Sequence, residues 1–152
     1  MARGYDTYEV DDGLAQFYSN ETGLPVSRPF SEKDRTPEWR SINTWRISRP
    51  LIYNIAQSSK NCLVFICGTA SNEHEVIDLF DRVFALSLGL ETLKKRIALR
   101  PDGTFGKSSH EWQTIVEWNE RVHDEHAKLN AIIVDATLTI HEITDFILSR
   151  LI

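Results

Sequence analysis

Four apolar runs constrain this chain more than any other feature. They are "LVFIC" at 63–67, "VFALSL" at 83–88 and "AIIVD" at 131–135, with a weaker one, "YDTYEV", at 5–10. Runs without polar alternation need cover on both faces, and parallel strands between helices provide it. The intervening segments carry helical spacing, so the expected class is α/β, a mostly parallel sheet flanked by helices. A chain of 152 residues supplies one core, and 1–152 is expected to form a single domain.

The helices have conventional punctuation. Thr36, Pro37 and Glu38 open "PEWRSINTWRISRPLIYNIAQSS", a helix that Pro50 is expected to kink or divide. Ser71 or Asn72 caps "EHEVIDLF", with Glu73 and Glu75 near its positive end. Gly89 precedes "LETLKKRIAL", and Ser108 or Ser109 opens a long helix striped by Trp112, Ile115, Val116, Val122 and Leu129. A last helix starts at about Thr139 and carries Ile140, Ile143, Ile147 and Leu151. The polar stretch 19–36 reads as a long surface loop. Trp39 and Trp45 do not share one helical stripe and Trp118 lies off its own; these aromatics fit a base-binding cleft, a subunit contact or core packing.

Charge and composition exclude several functions. A net charge of −5 argues against a surface for nucleic acid or anionic lipid. No stretch approaches membrane-spanning length, and "MARGYDTYEVDD" lacks the apolar core of a signal peptide, so a cytoplasmic protein without a membrane partner is expected. Cys62 and Cys67, five apart on an extended segment, point to opposite faces; they read as small buried hydrophobes, not as a disulfide.

The stretch "RPDGTFGKSSHEW" contains "GKS", the end of a phosphate-binding loop. A Walker A loop needs glycine five places before Gly106, where Pro101 stands, and a buried strand ahead of it, where "ETLKKRIALR" reads as a helix. That reading is rejected. In an open parallel sheet, ligands bind beyond the carboxyl ends of the strands. The residues there are Glu9, Asp11 and Asp12; Gly68, Thr69 and Asn72; and Asp135, Ala136 and Thr137. Such an acidic rim suits a magnesium ion held through water, although turn chemistry accounts for Asp-Asp-Gly equally well. Lys94, Lys95, Arg96 and Arg100, followed by a Gly-containing connection with Lys107, suit phosphoryl transfer, whose charge cations clamp; a solvated basic helix face explains them too. His123 and His126 in "HDEH", with Glu120 a turn earlier, have a metal-compatible spacing but not the H-E-x-x-H order. His74, His110 and His141 are isolated, and no Ser/His/Asp or Cys/His set can be assembled.

Taken together, "ARGYDTYEVDDGL", "EWRSINTWRISRPLI", "LVFICGTASNEHEVIDLFDRVFAL", "TLKKRI…R…FGKSSHEWQTIVEWN" and "IIVDATLTIHEI" resemble the small P-loop kinases of the nucleoside, nucleotide and shikimate kinase type, within them a group of bacterial predicted kinases. The resemblance implies a P-loop NTPase kinase-like fold with ATP and magnesium as cofactors and a nucleotide and a small molecule as substrates. Asp11, with Asp12 or Glu9, takes the place of the acids serving magnesium and the phosphoryl acceptor. Gly68 and Thr69, with Asn72, match the substrate approach. Arg96, Arg100 and Lys107 correspond to the lid, with Lys107 as a phosphate clamp beside the catalytic Asp11 and Asp12. Asp135 to Thr137 resembles the adenine loop. In that family a Walker A loop and a central strand come before the segment that begins here. Their absence is expected to remove most activity and to leave strands that pair with each other or with a second copy, a homo-oligomer. A non-catalytic, partner-binding remnant of the kinase fold is the alternative, and metal-dependent hydrolysis through the acids and "HDEH" a third reading.

Overall fold

The computed structural model describes residues 4–29, 34–60, 62–102 and 104–151, except the side chains of Val122, His123, Glu125 and His126. The chain divides into two compact units, Met1–Asp81 and Arg82–Ile152.

In the first unit, β1 (Asp6–Glu9) runs into a wide turn, Val10–Leu14. The chain continues through β2 (Ala15–Ser19), the short β3 (Pro25–Val26), α1 (Pro37–Ile42), β4 (Asn43–Ile47), α2 (Arg49–Ser58) and β5 (Val64–Cys67). Two single turns of 3₁₀ helix follow, Glu73–Glu75 and Ile77–Leu79. β1 pairs in parallel with β5, Glu9 standing opposite Cys67. β3, β2 and β4 form a separate antiparallel sheet in that order. Val10, Leu14, Ala15, Ile47, Ile52 and Val76 make the core, with Trp45 and Ile66 packed against it.

The helix expected from Pro37 is broken. Thr36 caps α1 by accepting from the Trp39 N–H, but the chain leaves the helix at Asn43 for β4 and re-enters at α2, where Pro50 sits in the first turn. The strand β4, not Pro50, divides the segment; Pro50 stands in the first turn of α2, where its missing N–H is harmless. Within β4 the run Thr44-Trp45-Arg46-Ile47 favours extended backbone, and pairing with β2 satisfies it. Trp39 and Trp45, on different elements, both reach Phe17, with ring centroids 4.7 and 4.9 Å away.

The second unit holds β6 (Phe84–Ser87), α3 (Leu90–Ala98), α4 (Ser109–Lys128), β7 (Ile132–Asp135) and α5 (Ile140–Ser149). β6 and β7 are parallel, with Ser87 opposite Asp135. Ala85, Ile97, Val134 and Ala136 are buried. Ser108 opens α4, its hydroxyl accepting from the Glu111 N–H, and Thr139 opens α5 through a capping box with Glu142.

The four apolar runs are therefore strands, and the chain is mixed α/β. Among the described residues the strands form three small sheets, two parallel and one antiparallel, where a single sheet was expected. Because β5 pairs only with β1 and carries no fully buried residue, Cys67 is exposed, as is Cys62, contrary to the expectation that both are buried. Among the described residues no helix is long and apolar enough to cross a membrane.

Candidate functional site

Two sets of residues singled out in the sequence are assembled locally, one in each unit. In the first unit the acids stand where β1 ends. Glu9 is its last residue, and Asp11 and Asp12 are exposed in the turn between the buried Val10 and Leu14. Neither Asp11 nor Asp12 makes a side-chain hydrogen bond or ion pair among the described residues. Gly68 follows β5 with φ +135°, and a Cβ placed on it would lie 2.6 Å from the Val10 Cβ. Only glycine lets the two strand ends close in this way. The Thr69 hydroxyl donates to Glu73 Oε1 at 2.5 Å, and the Ala70 N–H donates to the same oxygen. Partial burial of the Cys67 thiol, although the residue is exposed overall, and then the Glu9 charge, push its pKa above the usual value. It stays protonated at neutral pH and is a poor nucleophile.

In the second unit the cations are engaged by main-chain carbonyls. Arg96 Nη2 donates to the Ala136 carbonyl at 2.8 Å, Arg100 Nη1 to that of Phe105 at 3.2 Å, and Lys107 Nζ to that of Ala98 at 2.8 Å. The Ala98 carbonyl belongs to the last turn of α3, a negative helix end that favours a cation. Gly106 is buried between Ile97 and Ile115, and its N–H donates to Glu111 Oε2 at 3.1 Å. Phe105 stacks on Trp118, centroids 5.7 Å apart. The Gly-containing connection is thus tied down at three successive residues, Phe105, Gly106 and Lys107. Asp135 Oδ1 accepts from both the hydroxyl and the N–H of Thr137; that hydroxyl first, then the N–H, hold the carboxyl below its ordinary pKa.

A third cluster was not found by sequence reasoning, apart from Asn72. In the first unit, a cleft of about 550 Å³ is lined by Tyr18, Ser48, Arg46, Arg49, Asn72 and Glu75 among others. Asn72, expected as a helix cap, is 3 % exposed. Its amide instead clasps Ile47, accepting from the N–H at 2.8 Å and donating to the carbonyl at 3.1 Å, and also donates to Glu75 Oε2. Arg46 Nη2 contacts both Glu75 oxygens at 2.7 Å. Arg49 meets Asp78 fork to fork at 2.6 Å and also donates to the Glu75 carbonyl. Asn72 first, with Arg46 adding to it, holds Glu75 below its ordinary pKa. Apart from Asn72 and Glu75, the partners are 25 to 29 residues apart in sequence. The available signal was the extended preference of 43–47, which places Arg46 on a strand.

Among the described residues no three His, Cys, Asp or Glu side chains are grouped to hold a metal ion. The side chains of His123 and His126 lie outside the described residues. A magnesium ion that keeps most of its waters needs only one or two carboxylates, and the exposed, unengaged Asp11 and Asp12 fit that requirement. No family model, curated protein or solved structure matches the chain.

Proposed function

We propose that this chain is a P-loop kinase-like protein that carries the acceptor-side acids and the cationic loop for phosphoryl transfer from ATP to a nucleoside, nucleotide or other small hydroxyl substrate. The observation that supports it is the carboxyl end of the β1–β5 pair. There Glu9, the Asp11–Asp12 turn, Gly68 and Thr69 meet at the edge where parallel sheets bind ligands. In this reading Asp11, backed by Asp12, holds hydrated magnesium and orients the acceptor hydroxyl, while Glu9 and Thr69 line its approach; Asn72, which the resemblance places there, is buried against Ile47 instead. Lys107 and Arg100 neutralise phosphate charge, Lys107 exchanging the Ala98 carbonyl for a phosphate oxygen. Arg96 ties α3 to the adenine loop, Asp135 to Thr137. These 152 residues contain no G-x-x-x-x-G-K-[ST] loop, so the β-phosphate has no backbone cradle and turnover by the chain alone is expected to be small.

A second reading, a non-catalytic protein that associates through its strands, is favoured by the two-stranded parallel sheets. Pairs this small rarely stand alone, and each has unpaired edges among the described residues. Thermal unfolding in Mg-ATP separates the two. A ligand bound only by the native chain raises the melting temperature, so the kinase reading predicts a saturable rise that Lys107→Gln diminishes. No shift at about millimolar Mg-ATP, a concentration that detects binding of about −4 kcal/mol or tighter, together with a dimer by light scattering, favours the second.

A further inference from the structure

The cleft over Asn72 holds donors that the fold does not use. Arg46 contacts Glu75 through Nη2 alone, and its Nε and Nη1 make no hydrogen bond among the described residues. The Ser48 hydroxyl makes no cap bond at α2. The Tyr18 hydroxyl accepts from Gln16 Nε2, and its own proton has no acceptor among the described residues. The side chain of Arg46 is 40 % exposed, within reach of solutes. By contrast, both outer nitrogens of Arg49 are consumed by Asp78 and the Glu75 carbonyl. In a chain of net charge −5, the charged lining of this cleft is two arginines and one glutamate. The volume, about 550 Å³, is in the range of small-molecule sites.

We infer that this cleft is a binding site for the oxyanion of a small hydroxylated molecule. A phosphate or carboxylate oxygen accepts a single charge-assisted bond from the Nη1 of Arg46, the nitrogen that Glu75 leaves open. The hydroxyls of Ser48 and Tyr18 bond the same group or a neighbouring hydroxyl. Glu75 stays on Nη2, and Asn72 holds it there while fixing the end of β4, so the guanidinium is oriented before the ligand arrives. The resident carboxylate also sets an upper limit on affinity, because it lies beside the incoming negative charge. The site uses neither Asp11 nor Lys107, so it stands or falls separately from the phosphoryl-transfer reading.

Titration calorimetry without nucleotide tests this on the full chain, with inorganic phosphate, glycerol 3-phosphate and gluconate as probes. Saturable binding of at least one is expected. Arg46→Gln should weaken it about tenfold or more, the loss of a charge-assisted hydrogen bond, and Glu75→Gln should tighten it. Stronger binding of the two phosphates than of gluconate assigns the oxyanion as phosphate, and the reverse as carboxylate. If Arg46→Gln fails to fold, Tyr18→Phe and Ser48→Ala carry the test, each expected to weaken binding severalfold. No saturable heat for any of the three probes, or binding indifferent to all of these substitutions, overturns the site.

Discussion

The end of the β1–β5 pair and the connection between α3 and α4 each turn on a close contact made by glycine, but the contacts differ in kind. At Gly68 the nearest atoms to an added methyl are the Val10 Cβ at 2.6 Å and Cγ2 at 2.9 Å, on a residue only 3 % exposed. At Gly106 the nearest is the Ile115 Cδ1 at 2.8 Å, the tip of a side chain. Val10 yields only if its backbone moves, whereas Ile115 yields by rotating. The acids therefore sit on a stiff support and keep their position without ligand. The cations sit on a loop anchored by contacts that can be exchanged, a hydrogen bond to Glu111, a ring stack and a carbonyl on Lys107. On the proposed phosphoryl-transfer reading, this gives preorganised acids and adjustable cations.

Substitution of the two glycines is the sharpest way to break this comparison. Gly68→Ala should cost about 3 kcal/mol, combining strain at positive φ with overpacking against Val10, measured by urea unfolding. A loss below about 0.5 kcal/mol, the size of an ordinary surface change, would mean that the rim is not stiff. Gly106→Ala should cost about 1 kcal/mol, because φ is +100° but the neighbour can move. A loss equal to that of Gly68→Ala would erase the distinction between the two supports.

The smallest effect concerns pH and sharpens the picture of the turn after β7. The folded-state pKa of Asp135 is lowered, chiefly by the Thr137 hydroxyl. The stability it contributes is therefore fully present above the ordinary carboxylate pKa and is lost as pH falls through the lower folded value. Thr137→Val should lower the neutral plateau of a melting-temperature profile slightly and leave its acid end nearly unchanged, so that the limb below about pH 4 is flatter. An unchanged acid limb would show that the Asp135 turn does not carry this linkage.

The sequence exposed what is local. Three apolar runs became the partly buried strands β5, β6 and β7, while β1, exposed along its length, is held by its pairing with β5, and α3, α4 and α5 began at their expected breakers and caps, Gly89, Ser108 and Thr139. β2 and β4 were hidden because their extended preference is set between prolines and helix formers, where pairing decides. Phe17 opposite Trp45 settles it only once the strands meet. The burial of Cys67 was misjudged because burial depends on how many strands join the sheet, which one run cannot reveal. Arg46, Arg49, Glu75 and Asp78 carry no local signature, since their meaning lies in pairings 29 residues apart.

The central claim, that acids and cations of this chain serve polyphosphate, is tested most directly by following backbone amide resonances during a Mg-ATP titration. Saturable shifts are expected at residues 9–13 and 68–69 and at residues 96–107. Resonances that stay in place at about ten millimolar Mg-ATP, beyond the usual range of substrate constants, or shifts confined to one of these sets, would contradict it.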